Sequence, residues 1–389
     1  MYTAERQRAQ PYLEQVSGPL FEQWYLLHHR IVRVVTNHPR IADDVQHFLF
    51  YAELMAEQTY ERPADLPINI PEDLMWQARE RLHYPVAFTC YLFETRPGEA
   101  FPPPPAQEKP DDAEWDEISG IDGVKRARWK EDLLRFREFQ AYAGVCSRIC
   151  SVLHRKDYYA SIFIQNVAEC QSWFIPRFVF YMVVGAMFNY SGYEVVHTAA
   201  VALDQQGIMI AGSPASGKST LVLSCLQEGM GLLGDDVLFL DKEEGEVYIY
   251  AFPEDIGVRK GTTRLMGSYE FMQSLPEDER QKRPIDVQRY FRDRVVSSCP
   301  VRLMLFLHAD NRQEAFKAEL LPPAQAVTLL MQEYITQQQA KDGEADHMFG
   351  IFGDLAAQAP AYRLWLTPDT KNNAEQVRQL LLQHMPVRS

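Results

Sequence analysis

The sequence predicts an α/β protein in two parts: an α+β region over residues 1–190, then a mixed β-sheet domain over residues 191–389 built around a glycine-rich loop. Three observations lead there. Short apolar runs alternate with helix-period segments through the second half. A glycine- and serine-rich turn joins one such run directly to one such segment. A Pro-rich, acidic stretch, Arg96–Gly123, divides the first half; it holds Pro102–Pro105 and the run Asp111–Glu117. Lacking apolar periodicity, it reads as an extended, mobile linker.

Taken in order, Ile41–Glu57 has apolar residues at helical spacing (Val45, Phe48, Leu49, Ala52, Met55, Ala56) and predicts a helix. Val86–Phe93 predicts a strand. Beyond the linker, Trp129–Tyr142 reads as a polar-faced helix, Tyr158–Ile164 as a strand and Phe178–Phe188 as a core helix. In the second half, Val195–Leu203 and Gly207–Ala211 read as strands. Ser219–Glu228 is a helix stopped by Gly229 and Gly231. Gly231–Asp241 and Val247–Phe252 form a hairpin around the charged turn Lys242–Glu246. Val301–Leu307 and Tyr362–Leu366 are strands, and Pro323–Gln337 and Asn373–His384 are helices. Mixed strands with covering helices make a layered sheet domain.

Composition narrows the function classes. With 389 residues, 46% of them hydrophobic, the chain can bury a sizeable core without staples. Its formal charge of −14 repels nucleic-acid backbones and anionic membranes, so neither is an expected partner. The N-terminus, MYTAERQRAQ, lacks the apolar core of a signal peptide. The longest charge-free apolar stretch, Phe178–Tyr193, has sixteen residues, short of the ~20 that a bilayer needs. A soluble, cytoplasmic protein is expected. The six cysteines form no CxxC pair and read as buried free thiols of a reducing compartment.

The chemistry is announced by Gly212-Ser213-Pro214-Ala215-Ser216-Gly217-Lys218-Ser219, a GxxxxGK[ST] match placed between a strand and a helix. In a P-loop of this kind the glycines let backbone N–H groups turn inward around phosphate oxygens, and the helix N-terminus adds donors and positive partial charge. Lys218 reaches the outer phosphates, the Ser219 hydroxyl ligates Mg²⁺, and Thr220 follows in the same turn. ATP with Mg²⁺ is the expected cofactor pair. Asp235 and Asp236 follow 17 residues after Lys218, counted to Asp235, at the end of Leu232-Leu233-Gly234. A strand that brings carboxylates to a phosphate loop is the usual second half of a nucleotide site. His197 precedes the loop by 15 residues. On its own a histidine there is more often a satisfied structural residue than a functional one.

Together His197, GSPASGKST and Gly234-Asp235-Asp236 resemble the catalytic domain of HPr kinase/phosphorylase and its relatives, which share a core with phosphoenolpyruvate carboxykinase. The specific part of the resemblance covers Val196–Leu240. It implies that Lys218 contacts the β- and γ-phosphates and that Ser219 and Asp235 hold Mg²⁺. It implies further that Asp236 is the base for the acceptor hydroxyl, with His197 beside it. Those kinases assemble into oligomers, so a homo-oligomer is among the expected states. An RGxGI-type segment of that family is missing. In its place stands Phe252-Pro253-Glu254-Asp255-Ile256-Gly257-Val258-Arg259-Lys260, where Arg259 or Lys260 is a candidate cation for the transferring phosphate. The missing segment puts reverse phosphorolysis, and HPr as the substrate, in doubt. Arg289, Arg292 and Arg294 form a further basic group, read either as a substrate clamp or as an exposed helix face.

The leading expectation is a kinase acting on a hydroxyl of an unidentified protein, peptide or small-molecule acceptor. A nucleotide-dependent switch with slow ATP hydrolysis is the alternative, and it would need no spare carboxylate beside the metal ligand. Carboxykinase chemistry would need further metal-binding His and Lys residues that cannot be placed. No LSGGQ-like or NKxD-like segment supports a transporter ATPase or a small GTPase.

Overall fold

The computed structural model describes residues 13, 16–62, 65–66, 87–95, 114–117, 124–128, 134–140, 148–154, 158–170, 174–252, 254–266, 282–308, 314–337 and 344–385. The chain divides into two compact units, Met1–Ser191 and Gly192–Ser389.

Among the described residues, the first unit has nine strands: β1 (Leu20–Leu27), β2 (Arg30–Thr36), β3 (Glu53–Tyr60), β4 (Ala87–Thr95), β5 (Glu114–Glu117), β6 (Val124–Arg128), β7 (Leu134–Gln140), β8 (Arg148–His154) and β9 (Tyr159–Gln165). They lie in the order β3-β1-β2-β4-β9-β8-β7-β6-β5. The β2–β4 and β4–β9 pairs are parallel and the rest antiparallel. Leu20, Val35, Tyr60, Tyr91, Phe93, Tyr159 and Phe163 form an apolar cluster in this unit. Helices α1 (Pro39–Phe48) and α2 (Tyr181–Tyr190) accompany the sheet, and Phe48 meets Phe180, just before α2, edge to face.

Three expectations for this unit are corrected. The helix predicted over Ile41–Glu57 ends at Phe48, and Glu53–Tyr60 is instead β3, paired antiparallel with β1. Its apolar spacing suits both structures, and the partner that satisfies its backbone lies some thirty residues earlier in the chain. Trp129–Tyr142 contains the strand β7, not a helix. Its core, LRFREFQ, opens with apolar–basic alternation and pairs with β6 and β8. Within the expected linker Arg96–Gly123, Glu114–Glu117 forms β5. There Glu114, Asp116 and Glu117 stand in register with Arg128, Arg126 and Lys125, opposite charges that favour pairing. The remainder of that linker lies outside the described residues.

The second unit has a mixed sheet. Its strands are β10 (Glu194–Val196), β11 (Ala199–Leu203), β12 (Gln206–Ala211), β13 (Gly231–Gly234), β14 (Leu238–Glu243), β15 (Glu246–Tyr250), β16 (Ile256–Arg259), β17 (Lys282–Ile285), β18 (Ser298–Leu307), β19 (Lys317–Leu321) and β20 (Ala361–Trp365). The main order is β10-β14-β15-β18-β12-β11-β13, extended by β20 on β18 and β19 on β20. Parallel pairing joins β12, β18 and β20. A separate two-stranded ribbon joins β16 and β17. The helices are α3 (Lys218–Gln227), α4 (Lys260–Leu265), α5 (Val287–Phe291), α6 (Pro323–Gln337), α7 (Glu344–Gln358) and α8 (Thr370–His384). Helix α3 packs between α8 and β11, and Leu221, Val222, Leu223, Cys225 and Leu226 are all buried. The fold is thus a mixed α/β one in this unit. Helix α7 and strand β19 were not anticipated from the sequence.

Cys90, Cys225 and Cys299 are free and buried. Burial pushes the Cys225 and Cys299 thiols up to about 12, and raises Cys90 as well, which makes all three poor nucleophiles. Cys170 is disulfide-bonded, against the expectation of six free thiols. Among the described residues, no helix is long and apolar enough to cross a membrane.

Candidate functional site

Strand β12 is wholly apolar past Gly207 and buried, held between β11 and β18. It delivers the chain to Gly212 at the carboxyl end of an interior strand. Two loop positions then require glycine. A Cβ on Gly212 would fall 2.7 Å from the Ser216 hydroxyl and 3.1 Å from the Leu307 Cβ, so the loop closes tightly only because no side chain is there. Gly217 takes φ +105° and forms the N-cap of α3. Between them Ala215 is also left-handed, at φ +67°, a conformation uncommon for a residue with a Cβ. Lys218 opens α3, and its Nζ reaches back to donate to the Gly212 carbonyl at 2.5 Å. The ammonium therefore lies over the loop at the positive end of the helix. Ser213, Pro214 and Ala215 are exposed at its rim, while Ser216 is buried.

The two aspartates arise from a shared break in two strands. Val196 stands in register with Leu238, and Ala200 with Gly234. The two pairs share one register, yet the pairing lapses between, where residues 197–199 on one side stand opposite residues 235–237 on the other. Val195–Leu203 and Gly231–Asp241 read as unbroken strands in the sequence; both are interrupted at this point. The interruption frees side chains that a ladder would hold perpendicular to the sheet. Thr198 turns inward and donates to the Ile210 carbonyl at 2.7 Å, which ties the gap to the strand leading into the loop.

Asp235 and Asp236 then go different ways. Asp235 is buried, at 7% exposure, and its Oδ2 accepts from the Ser219 hydroxyl at 2.7 Å. Asp236 is half-exposed, and its Oδ1 lies 2.9 Å from His197 Nε2. Adjacent carboxylates thus have separate partners: one inside the loop helix's first turn, one at the solvent face. The structure brings Ser219 to Asp235 and His197 to Asp236, while the Lys218 ammonium lies on the Gly212 carbonyl of the loop.

Arg259 is the remaining predicted site residue. It ends β16 and is exposed. Immediately after it, α4 runs beside α3. Thr262 Oγ1 lies 2.8 Å from Thr220 Oγ1, and Met266 Sδ lies 3.9 Å from Ser224 Oγ. Four residues advance on each helix between these contacts, so the two run in the same direction. The start of α4, at Arg259 and Lys260, is accordingly level with the phosphate-loop end of α3. Thr262 was missed in the sequence; no local signal marks a threonine that touches the loop helix from a separate segment.

Arg294 sits at the other end of α3. It donates to the Leu226 carbonyl at 3.5 Å, at the helix C-terminus where a cation suits the dipole. The ten residues of α3 put it roughly 15 Å from Lys218. Arg294 therefore stabilises a helix end and does not clamp a substrate at the loop.

No family model and no curated protein matches the chain. Among solved structures, the HPr(Ser) kinase/phosphatase from Coxiella burnetii is similar over 49% of this chain and 92% of that one, at 18% identity and a TM-score of 0.28. At so low a score, function rests on this chain's own residues.

Proposed function

We propose that this protein is an ATP- and Mg²⁺-dependent kinase of the HPr kinase-related kind, which moves a γ-phosphate onto a hydroxyl of a protein, peptide or small molecule. The observation that carries the reading is the divided aspartate pair: Asp235 on Ser219 at 2.7 Å, Asp236 on His197 at 2.9 Å. A nucleotide switch needs the first arrangement but has no use for the second.

The residues fit the cation and the triphosphate. Hydroxyl and carboxylate oxygens are the hard donors that Mg²⁺ takes, with substrate phosphates completing the shell. Ser219 and Asp235 would hold it, and when bound it neutralises charge on the phosphates. Among the described residues no three His, Cys, Asp or Glu side chains cluster as a metal site; a shell of this mixed kind does not require one. The Gly212–Thr220 backbone, with a cradle that a Cβ at Gly212 would fill, wraps the phosphates, and Lys218 neutralises the outer ones.

Phosphoryl transfer asks for alignment and charge compensation more than covalent help. The acceptor oxygen forms the new O–P bond as the bond to ADP breaks, and its proton passes to the Asp236 carboxylate. His197 fixes which way that carboxylate faces. Arg259, level with the loop, offers a cation to the transferring group.

The test uses [γ-³²P]ATP with a serine/threonine peptide library and a panel of small alcohols. Label should appear on an acceptor with the wild type and disappear with Lys218→Ala. Asp236→Asn should bind Mg·ATP normally yet lose transfer. Hydrolysis to water alone, at equal rates in wild type and Asp236→Asn, would replace this reading with that of a slow ATPase switch.

A further inference from the structure

The chain is acidic overall, with 53 Asp and Glu against 39 Lys and Arg. The β16–α4 segment, IGVR followed by KGTTRL, and strand β17, KRPI, reverse that balance. Arg259, Lys260, Arg264, Lys282 and Arg283 are basic, and none of the fourteen residues is acidic. Antiparallel pairing gathers these positions further, because Arg259 stands in register with Lys282, and Val258 with Arg283. Basic positions from two stretches of sequence are thereby brought to one end of one ribbon. Like charges directly opposite on paired strands disfavour the pairing, so the fold tolerates here a juxtaposition that stability alone would select against.

The ribbon's position gives that cost a purpose. Its basic end is where β16 passes into α4, level with the phosphate-loop end of α3 as the Thr220–Thr262 and Ser224–Met266 contacts place it. The surface is also open. Arg259 is exposed, a Cβ on Gly261 would meet nothing within 4 Å, and Leu265 leaves 47% of its area to solvent. A pocket for a small hydroxy acid would enclose its cations. Basic positions along a ribbon, with Arg259 exposed and an uncovered leucine at the far end of the adjoining helix, match an extended ligand with several carboxylates and an apolar side chain.

We infer that the acceptor is an acidic peptide, whose hydroxyl lies in a segment carrying carboxylates that the β16–β17 ribbon holds beside the phosphate loop. The inference rests on the kinase reading above and names its substrate class. Opposite potentials of this kind steer encounter and fix register, and their contribution falls with salt.

The experiment measures binding, so it does not depend on phosphoryl transfer. Fluorescein-labelled peptides carrying one central serine, flanked by Asp, Glu and one Leu or by Lys, Arg and one Leu, are titrated with the full chain and Mg·ATP analogue by anisotropy. The acidic peptide should bind, with affinity falling steeply between 50 and 300 mM salt, and the basic peptide should not. Lys282→Glu with Arg283→Glu should weaken acidic-peptide binding roughly tenfold or more, about 1.4 kcal/mol. The same variant should bind a fluorescent ATP analogue as the wild type does, which shows that the domain is folded. Equal binding of the acidic and basic peptides would overturn the inference. So would full competition by free malate, or by a single-stranded oligonucleotide at the concentration of the acidic peptide. Loss of transfer with peptide binding intact would count against the kinase reading and leave the acidic-ligand surface standing.

Discussion

Two ion pairs, one in each unit, show how the same chemistry serves different ends. In the first unit Arg33 and Glu22 are 3% and 1% exposed, and two nitrogens of Arg33 reach Glu22 Oε1 at 2.5 and 2.6 Å. Tyr60 donates to the other carboxylate oxygen at 2.7 Å, and the Arg33 guanidinium lies 5.0 Å from the Trp24 ring centroid. Burial and hydrogen bonding also raise the Tyr60 hydroxyl's pKa, so it stays a donor across the physiological range. In the second unit His197 Nε2 lies 2.9 Å from Asp236 Oδ1, with side chains 33% and 50% exposed. The first pair is fixed from several sides between paired strands. The second hangs in a gap where strands separate. A locked pair specifies structure; a pair that solvent and a ligand can reach is available for chemistry.

The contrast is open to attack from both sides, and its largest expected effect is in the first unit. Arg33→Met leaves the Glu22 carboxylate buried without its cation and should destabilise the protein by about 3–5 kcal/mol. The matched double change, Glu22→Leu with Arg33→Met, should recover most of that loss, because both desolvated charges go together. Denaturant unfolding of the three proteins checks it. A single variant as stable as wild type would mean that the buried pair is not locked after all.

His197→Ala should do the reverse. Loss of a half-exposed pair should change stability by less than ~1 kcal/mol, while phosphoryl transfer should slow by about 10- to 100-fold, with little change in KM for ATP. Comparing melting temperature with kcat separates these. A variant that melts early and turns over normally would return His197 to a purely structural role.

The smallest effect concerns a half-exposed pair away from the loop. Arg302 on β18 forms a two-pronged contact with Glu246 on β15, at 2.6 and 3.0 Å. Hydrogen bonding to that guanidinium holds the Glu246 carboxyl below its usual value of 4.5. A depressed folded-state pKa adds stability above the unfolded value and loses it as pH falls through the folded one. Glu246 is 42% exposed, so solvent screening keeps the contribution under ~1 kcal/mol. Urea midpoints of wild type and Glu246→Gln should differ at pH 7 and converge as pH drops below about 4.5.

How much of this was legible in the sequence depends on the range of the interaction. The Gly212–Ser219 loop is local: strand, glycines, lysine and helix lie within a few residues, and each dictates its neighbour. His197 and Asp236 were named from motif order, but the gap that joins them was not. It exists because two long-range pairings, Val196 with Leu238 and Ala200 with Gly234, agree in register while the chain between them lets go. The misread helices failed for a related reason. The run around Met55 has apolar spacing that fits a helix, and only its partner Trp24 on β1, opposite Ala56, decides otherwise. In β7 the residues Leu134 and Phe136 alternate with Arg135 and Arg137, a strand signal too short to outweigh the polar surroundings. The basic ribbon was half-visible at Arg259, and Lys282 joins it only through pairing across a long insertion.

The central claim is that Asp235 and Asp236, adjacent in sequence, have separate duties. Calorimetric titration of ATP with and without Mg²⁺ tests it without any acceptor. Asp235→Asn should bind ATP weakly and lose the strengthening that Mg²⁺ gives, whereas Asp236→Asn should keep both affinity and Mg²⁺ dependence. Equal losses in the two variants, or the loss falling on Asp236→Asn alone, would contradict the account.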